Sequence, residues 1–167
     1  MRSSTKAKSL LLLLLVPLAL AACSESTTQS ETLAESVRAE TLRFQDPAVA
    51  TAAGYVSDGH CVAHPDLGGM GDHWVNQGLI DPTFDPMQPE ALLYAPGPGG
   101  NPTLVGVEYI VIDVGQAQPT FDGHPFDVGG VPPLTEAGVA HWSLHVWLHR
   151  ENPAGMFAPF NPDVSCD

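Results

Sequence analysis

Hydrophobic and polar positions follow two different periods along this chain. In residues 32–45, TLAESVRAETLRFQ, the apolar Leu33, Val37 and Phe44 share one stripe, with Ala34 and Thr41 beside it. That is the 3.6-residue period of an amphipathic helix. Thr32 and Glu35 stand three residues apart at its start, the spacing of a capping box. DPAVATAAGY predicts a second, short helix, with Asp46 as cap, Pro47 in the first turn and Gly54 as terminator. The two helices predict an N-terminal helical hairpin. The period then changes. ALLYA and TLVGVEYIVID read as strands, and the turn chemistry of PGPGGNP between them predicts a β-hairpin. GVAHWSLHVWLHR reads as a third strand, uninterrupted by Gly, Pro or charge from Val139 to His149. Residues 57–90, rich in Asp-Pro and Gly-Gly pairs, are expected to be loop. Helices, then a long loop, then strands describe an α+β fold. The helical hairpin packs on a small antiparallel β-sheet in a loop-rich domain.

The third strand carries the first candidate chemistry, because His141, His145 and His149 recur at every fourth position. On a helix, residues four apart are neighbours and could share one ion. On a strand they share a face but lie about 13 Å apart, beyond the reach of an ion held at about 2 Å from each nitrogen. Trp142, Leu144, Val146 and Leu148 alternate with His141, Ser143, His145 and His149, and only Trp147 breaks the polar face. The strand reading therefore leaves at most one histidine of the run to any one site. The other ligands must come from other elements.

Glu108 lies in the middle of LVGVEYIVI. A lone carboxylate among β-branched neighbours is costly to bury unless it is paired or bound to a metal. His73 follows the glycines of GGMGDHWVN, which allow close backbone approach. His73, Glu108 and His145 together form a two-histidine, one-carboxylate set that suits zinc, copper, iron or another divalent transition metal. His60 and His64, which flank Cys61, are further candidates. The competing reading keeps His145 as a hydrogen-bonded strand residue and pairs Glu108 with His145, Arg38, Arg43 or Arg150. Nucleotide-binding, serine-hydrolase, zinc-protease and paired-cysteine motifs are absent from the sequence. The acids of residues 58–85 do not follow the calcium-loop pattern.

The N-terminus changes the picture of location. MRSSTKAKS carries Arg2, Lys6 and Lys8 and precedes an apolar run, the layout of a signal peptide over residues 1–22. The run ends in LAAC, which resembles the lipobox of bacterial lipoproteins. The resemblance implies that Cys23 receives the lipid and becomes the first residue after cleavage. It also implies that Ser24 directs the protein to the outer membrane in a Gram-negative cell. SESTTQSE then forms a polar tether, residues 23–31, ahead of one domain at 32–167. Acyl chains contribute roughly 0.8 kcal/mol per buried CH₂, so several chains hold a domain at a bilayer surface. The full chain has a formal net charge of −13, from 19 acidic and six basic residues. Cleavage would remove half of the basic residues and every lysine. Such a surface repels nucleic acid. The expected partner is the membrane, through the lipid anchor.

With Cys23 lipidated, Cys61 and Cys166 remain. An exported chain meets an oxidising compartment, so these two are expected to form a disulfide. Free thiols and thiolate metal ligands are the alternatives.

Several phrases of the chain, in order, resemble a family of bacterial secreted proteins and lipoproteins to which no activity is attached. They are VRAETLRFQDPAVATAAGYV, GGMGDHWVN, PEALLYAP, LVGVEYIV and LHVWLHRENPAGMFAPFNPDVSC, spread over residues 37–166. The family pattern resembles this chain at His73, Asn76, Glu108, His145, Asn152, Pro153, Gly155, Asn161, Pro162 and Cys166. His60, His64, His141 and His149 lie outside it. The resemblance thus implies His145 over its two neighbours. Three functions stay open on these residues. The first is a binding module for a divalent ion, serving storage, delivery or sensing. The second is a metal-dependent enzyme. The third is a metal-free envelope-associated binding or assembly module with structural histidines. The location is testable directly. Cys23→Ala is expected to shift the protein from the membrane to the soluble fraction, and unchanged fractionation refutes the anchor.

Overall fold

The computed structural model describes residues 32–166. The expected signal peptide (1–22), the tether (23–31) and Cys23 lie outside the described residues. The chain begins with helix α1, Leu33–Thr41, whose capping box forms as the spacing predicts. The Glu35 N–H donates to the Thr32 hydroxyl at 3.2 Å, and the Thr32 N–H donates to the Glu35 carboxylate at 2.8 Å. A 3-10 turn, Leu42–Gln45, then leads into α2, Pro47–Ala52. Two helices form where expected, but not as the expected packed hairpin. Each helix packs against the intervening turn rather than along the other. At six residues, α2 has fewer than two turns to offer a partner.

The rest of the fold is a mostly antiparallel six-stranded sheet in the order β1-β2-β3-β4-β8-β7. Its strands are β1 (Val56–His64), β2 (Gly68–Val75), β3 (Ala91–Pro96), β4 (Pro102–Ile112), β7 (Asp127–Val128) and β8 (His141–Val146). Two short strands, β5 (Thr120–Phe121) and β6 (His124–Pro125), form a separate ribbon, and a one-turn helix α3 spans Pro132–Glu136. The β3–β4 hairpin and the β8 strand match the alternation in the sequence. β8 is shorter than expected, because the backbone leaves the ladder after Val146. The N–H groups of His149 and Arg150 turn to the Val105 carbonyl instead.

The first half of the expected loop is a correction. Residues 56–75 form the β1–β2 hairpin, so Cys61 and His73 lie on strands rather than on a loop. The glycines that argued for a loop have another use. Gly71 sits at φ 94°, and a Cβ there would lie 2.5 Å from the Tyr94 carbonyl oxygen of β3. Gly68 sits at φ 88°, and a Cβ there would lie 2.1 Å from the Asn161 carbonyl oxygen. Both let a neighbouring backbone approach more closely than any side chain permits. Residues 76–90 stay irregular, apart from an isolated bridge from Asp81 to Val111.

The two faces of the sheet bury different partners. On one face Leu92, Tyr94, Val107, Tyr109, Val111, Trp142, Leu144 and Val146 pack with Val37, Phe44, Ala50 and Tyr55 of the helical segment. The hydroxyls of Tyr55 and Tyr109 reach the carbonyls of Pro89 and Pro86, tying the irregular segment to this core. On the other face Leu93, Ala95, Val105 and Trp147 pack with Val164 of the C-terminal tail. That tail is held in several ways. Trp147 Nε1 donates to the Ala158 carbonyl, and Asn161 exchanges two backbone hydrogen bonds with Gly69. Cys61 and Cys166 form a disulfide with a Cα–Cα distance of 5.6 Å.

The bridge spans a sequence separation of 105 residues. Loop-closure entropy for such a span is worth up to about 4.7 kcal/mol. Replacing both cysteines by serine is expected to lower unfolding stability by about 2–5 kcal/mol, read as a reduced urea midpoint. An unchanged midpoint would show that the tail is held without the bridge.

Candidate metal centre

The sheet register assembles the site from three strands. Glu108 of β4 lies directly opposite His145 of β8, and Ala91 of β3 lies opposite Glu108 on its other side. Val75 of β2 pairs with Ala91, so His73, two residues away, shares that face. Directly opposed residues on one face are close enough for their side chains to meet. His73 itself lies opposite Leu93 and diagonal to Ala91. His73 Nε2 lies 3.2 Å from His145 Nε2 and 3.6 Å from Glu108 Oε2. One donor atom from each of the three residues lies within 4.8 Å of the other two.

These separations fit one ion. Nitrogen and oxygen donors held about 2 Å from a tetrahedral ion lie roughly 3.3 Å from one another. Both distances from His73 fall near that edge length. The three donors provide the two-histidine, one-carboxylate set that zinc and iron accept.

Burial sets the protonation of the groups. Glu108 is 4% exposed, and its removal from water, with Glu90 nearby, pushes its pKa up to about 8. His145 is pushed down to about 3 by burial and by the neighbouring His73. The metal-free site therefore holds a protonated Glu108 and a neutral His145 at neutral pH. The 3.6 Å contact from His73 to Glu108 is then no ion pair. The two imidazoles meet Nε2 to Nε2, one donating its N–H and the other accepting.

The remaining histidines are used elsewhere. The His141 Nδ1–H donates to the Val139 carbonyl, and its Nε2 accepts the Val131 N–H, which satisfies a neutral ring at both nitrogens. His149 Nε2 contacts the Thr41 hydroxyl at 2.9 Å, and that hydroxyl donates to the Val37 carbonyl, so the ring N–H points at Thr41. His64 accepts the Asp66 N–H, and His60 is exposed on β1. The three arginines do not reach Glu108. Arg38 donates to the Leu148 carbonyl, Arg150 donates to the Asp163 carbonyl, and Arg43 pairs with Glu40 at 2.7 Å.

One buried acid is not singled out by the sequence pattern. Glu90 is 2% exposed and accepts the Ile110 N–H at 2.9 Å, just beyond the point where β3 stops covering β4. Burial pushes its pKa up to about 8 as well. Its only sequence signal is a carboxylate directly before the apolar run of β3, a place where exposed acids are also common. Two surface clefts, of about 750 Å³ and about 320 Å³, are lined by residues other than the triad.

No protein family, curated protein or solved structure matches the chain.

The protonation states dictate how the metal-free protein responds to pH. Between pH 4.5 and about 8 the unfolded chain releases the Glu108 proton while the folded protein keeps it, so stability falls as pH rises. Glu90 acts in the same direction and over the same window. Between pH 6.5 and about 3 the unfolded chain takes up a proton that folded His145 refuses, so stability also falls as pH drops. The urea midpoint of metal-free protein is expected to decrease from about pH 6 to about pH 8. Glu108→Gln is expected to shrink that decrease without removing the part due to Glu90. A midpoint that holds or rises toward pH 8 contradicts the buried, protonated state of Glu108.

Proposed function

We propose that this chain is an exported bacterial lipoprotein that binds a divalent transition metal, zinc, copper or iron, through His73, Glu108 and His145. The observation that carries the reading is the convergence of the three donor atoms from three strands within 4.8 Å of one another, with both separations from His73 near the tetrahedral edge. The chemistry agrees with it. A buried carboxyl beside two imidazoles is costly to ionise in isolation, and a divalent cation offsets that cost by replacing its proton. The expected lipid on Cys23 would hold the site at the cell envelope, and the resemblance to secreted proteins and lipoproteins points to the same place.

A second reading rests on the 3.2 Å approach of the two imidazoles. A hydrogen bond there satisfies both rings without a metal, and the histidines would then be structural parts of an assembly module. Zinc titration in competition with a chromophoric chelator separates the two. Binding of one zinc per chain is expected, and His145→Ala should reduce affinity at least about a hundredfold, the upper range for losing even a supporting partner of a ligand. His141→Ala and His149→Ala should leave it intact. Affinity should also fall as pH drops, because the ligands must shed protons. Absence of zinc, copper and iron binding by the wild-type chain would support the metal-free reading.

A further inference from the structure

The metal reading leaves a question about coordination. Structural zinc sites close the ion with four protein ligands, whereas reactive sites keep a position for an outside group. Among the described residues, the converging His, Cys, Asp and Glu donors number three, His73, Glu108 and His145. Glu90 is the nearest further acid by its effect on Glu108. Its carboxylate takes the Ile110 N–H, and it does not belong to the converging set. The donors also differ in exposure. The side chain of His73 is 17% exposed and that of Glu108 5%, so the side of the site toward β2 is the one nearest to solvent.

Charge narrows the group that would fill the fourth position. A divalent ion with one carboxylate and two neutral imidazoles leaves one net positive charge. An uncompensated charge in a buried site is costly, and a bound anion neutralises it. Size narrows it further. Leu93, directly opposite His73, packs with Ala95, Val105, Trp147 and Val164 into a filled face beside the triad.

We infer that the centre is an open one, whose fourth position is taken from solution on the His73 side by hydroxide or another small monovalent anion. This rests on the metal reading above and goes beyond it, because a closed storage site would bind the same metal and take no outside ligand. A small anion completes the shell, whereas a bulky one is stopped by the packed face beside the triad.

Cobalt(II) is the probe, because its visible absorption reports the number and kind of its ligands. The full chain is loaded with cobalt(II), then titrated with azide and, separately, with phenylphosphonate. Azide is expected to change the visible spectrum saturably, while phenylphosphonate leaves it unchanged. A cobalt spectrum that azide does not alter would overturn the open position while leaving the metal site in place. A spectrum that responds equally to phenylphosphonate would overturn the size limit. Failure of the chain to take up cobalt and zinc at all would remove the metal reading and this inference with it. His149→Ala, distant in role from the triad, serves as the control that should behave as wild type.

Discussion

The buried carboxyl of Glu108 is the constraint around which the rest of the sheet is arranged. It sits in an eleven-residue strand, between β3 and β8, and among the described residues no arginine pairs with it. Water is excluded on both sides, so the charged form needs a partner close at hand. The sheet supplies two imidazoles and no fixed positive charge. That choice leaves the group protonated by default.

The two faces of the sheet divide the work. The helical segment and the tyrosines of β3 and β4 supply most of the apolar burial on one face. The opposite face carries the smaller cluster and the triad, and the C-terminal tail closes over that cluster through Val164, Asn161 and the disulfide. The tail makes its two backbone bonds to Gly69, only four residues from His73. The strand that delivers the outermost donor is therefore fastened at one end by the tail and along its length by β1 and β3. A histidine on a loop would have to be ordered at an entropic cost when an ion binds. A histidine on a paired strand has lost most of that freedom already.

The three histidines of residues 141–149, two on β8 and one just beyond it, show how one sequence pattern serves different ends. All lie within nine residues, yet each meets a different environment. His141 is satisfied by the backbone of residues 131 and 139, His149 by Thr41 of α1, and His145 by His73. Only the central ring faces a carboxylate directly across the ladder. The rings that find complete neutral partners act as structure, and the ring whose partners are themselves ionisable forms part of the site.

Much of this was legible in the residues themselves, and the division has a physical basis. Alternation with period two identified β3, β4 and β8 and put His141, His145 and His149 too far apart to share an ion, because strand rise is a local property. The capping box at Thr32 and the cysteine pair were readable for similar reasons, one from local spacing and the other from count and compartment. The extent of the helices and the nature of residues 56–75 were not readable. Glycines at 68, 69 and 71 look like loop residues, and they become strand residues only because Tyr94, Asn161 and Val164 press against their backbones. Those neighbours lie tens of residues away. The meeting of His73 with Glu108 and His145 belongs to the same class. The sequence by itself determined which side chains could serve as donors and that Glu108 and His145 stand on strands. Strand order and register, set by long-range backbone pairing, decided that three of them meet.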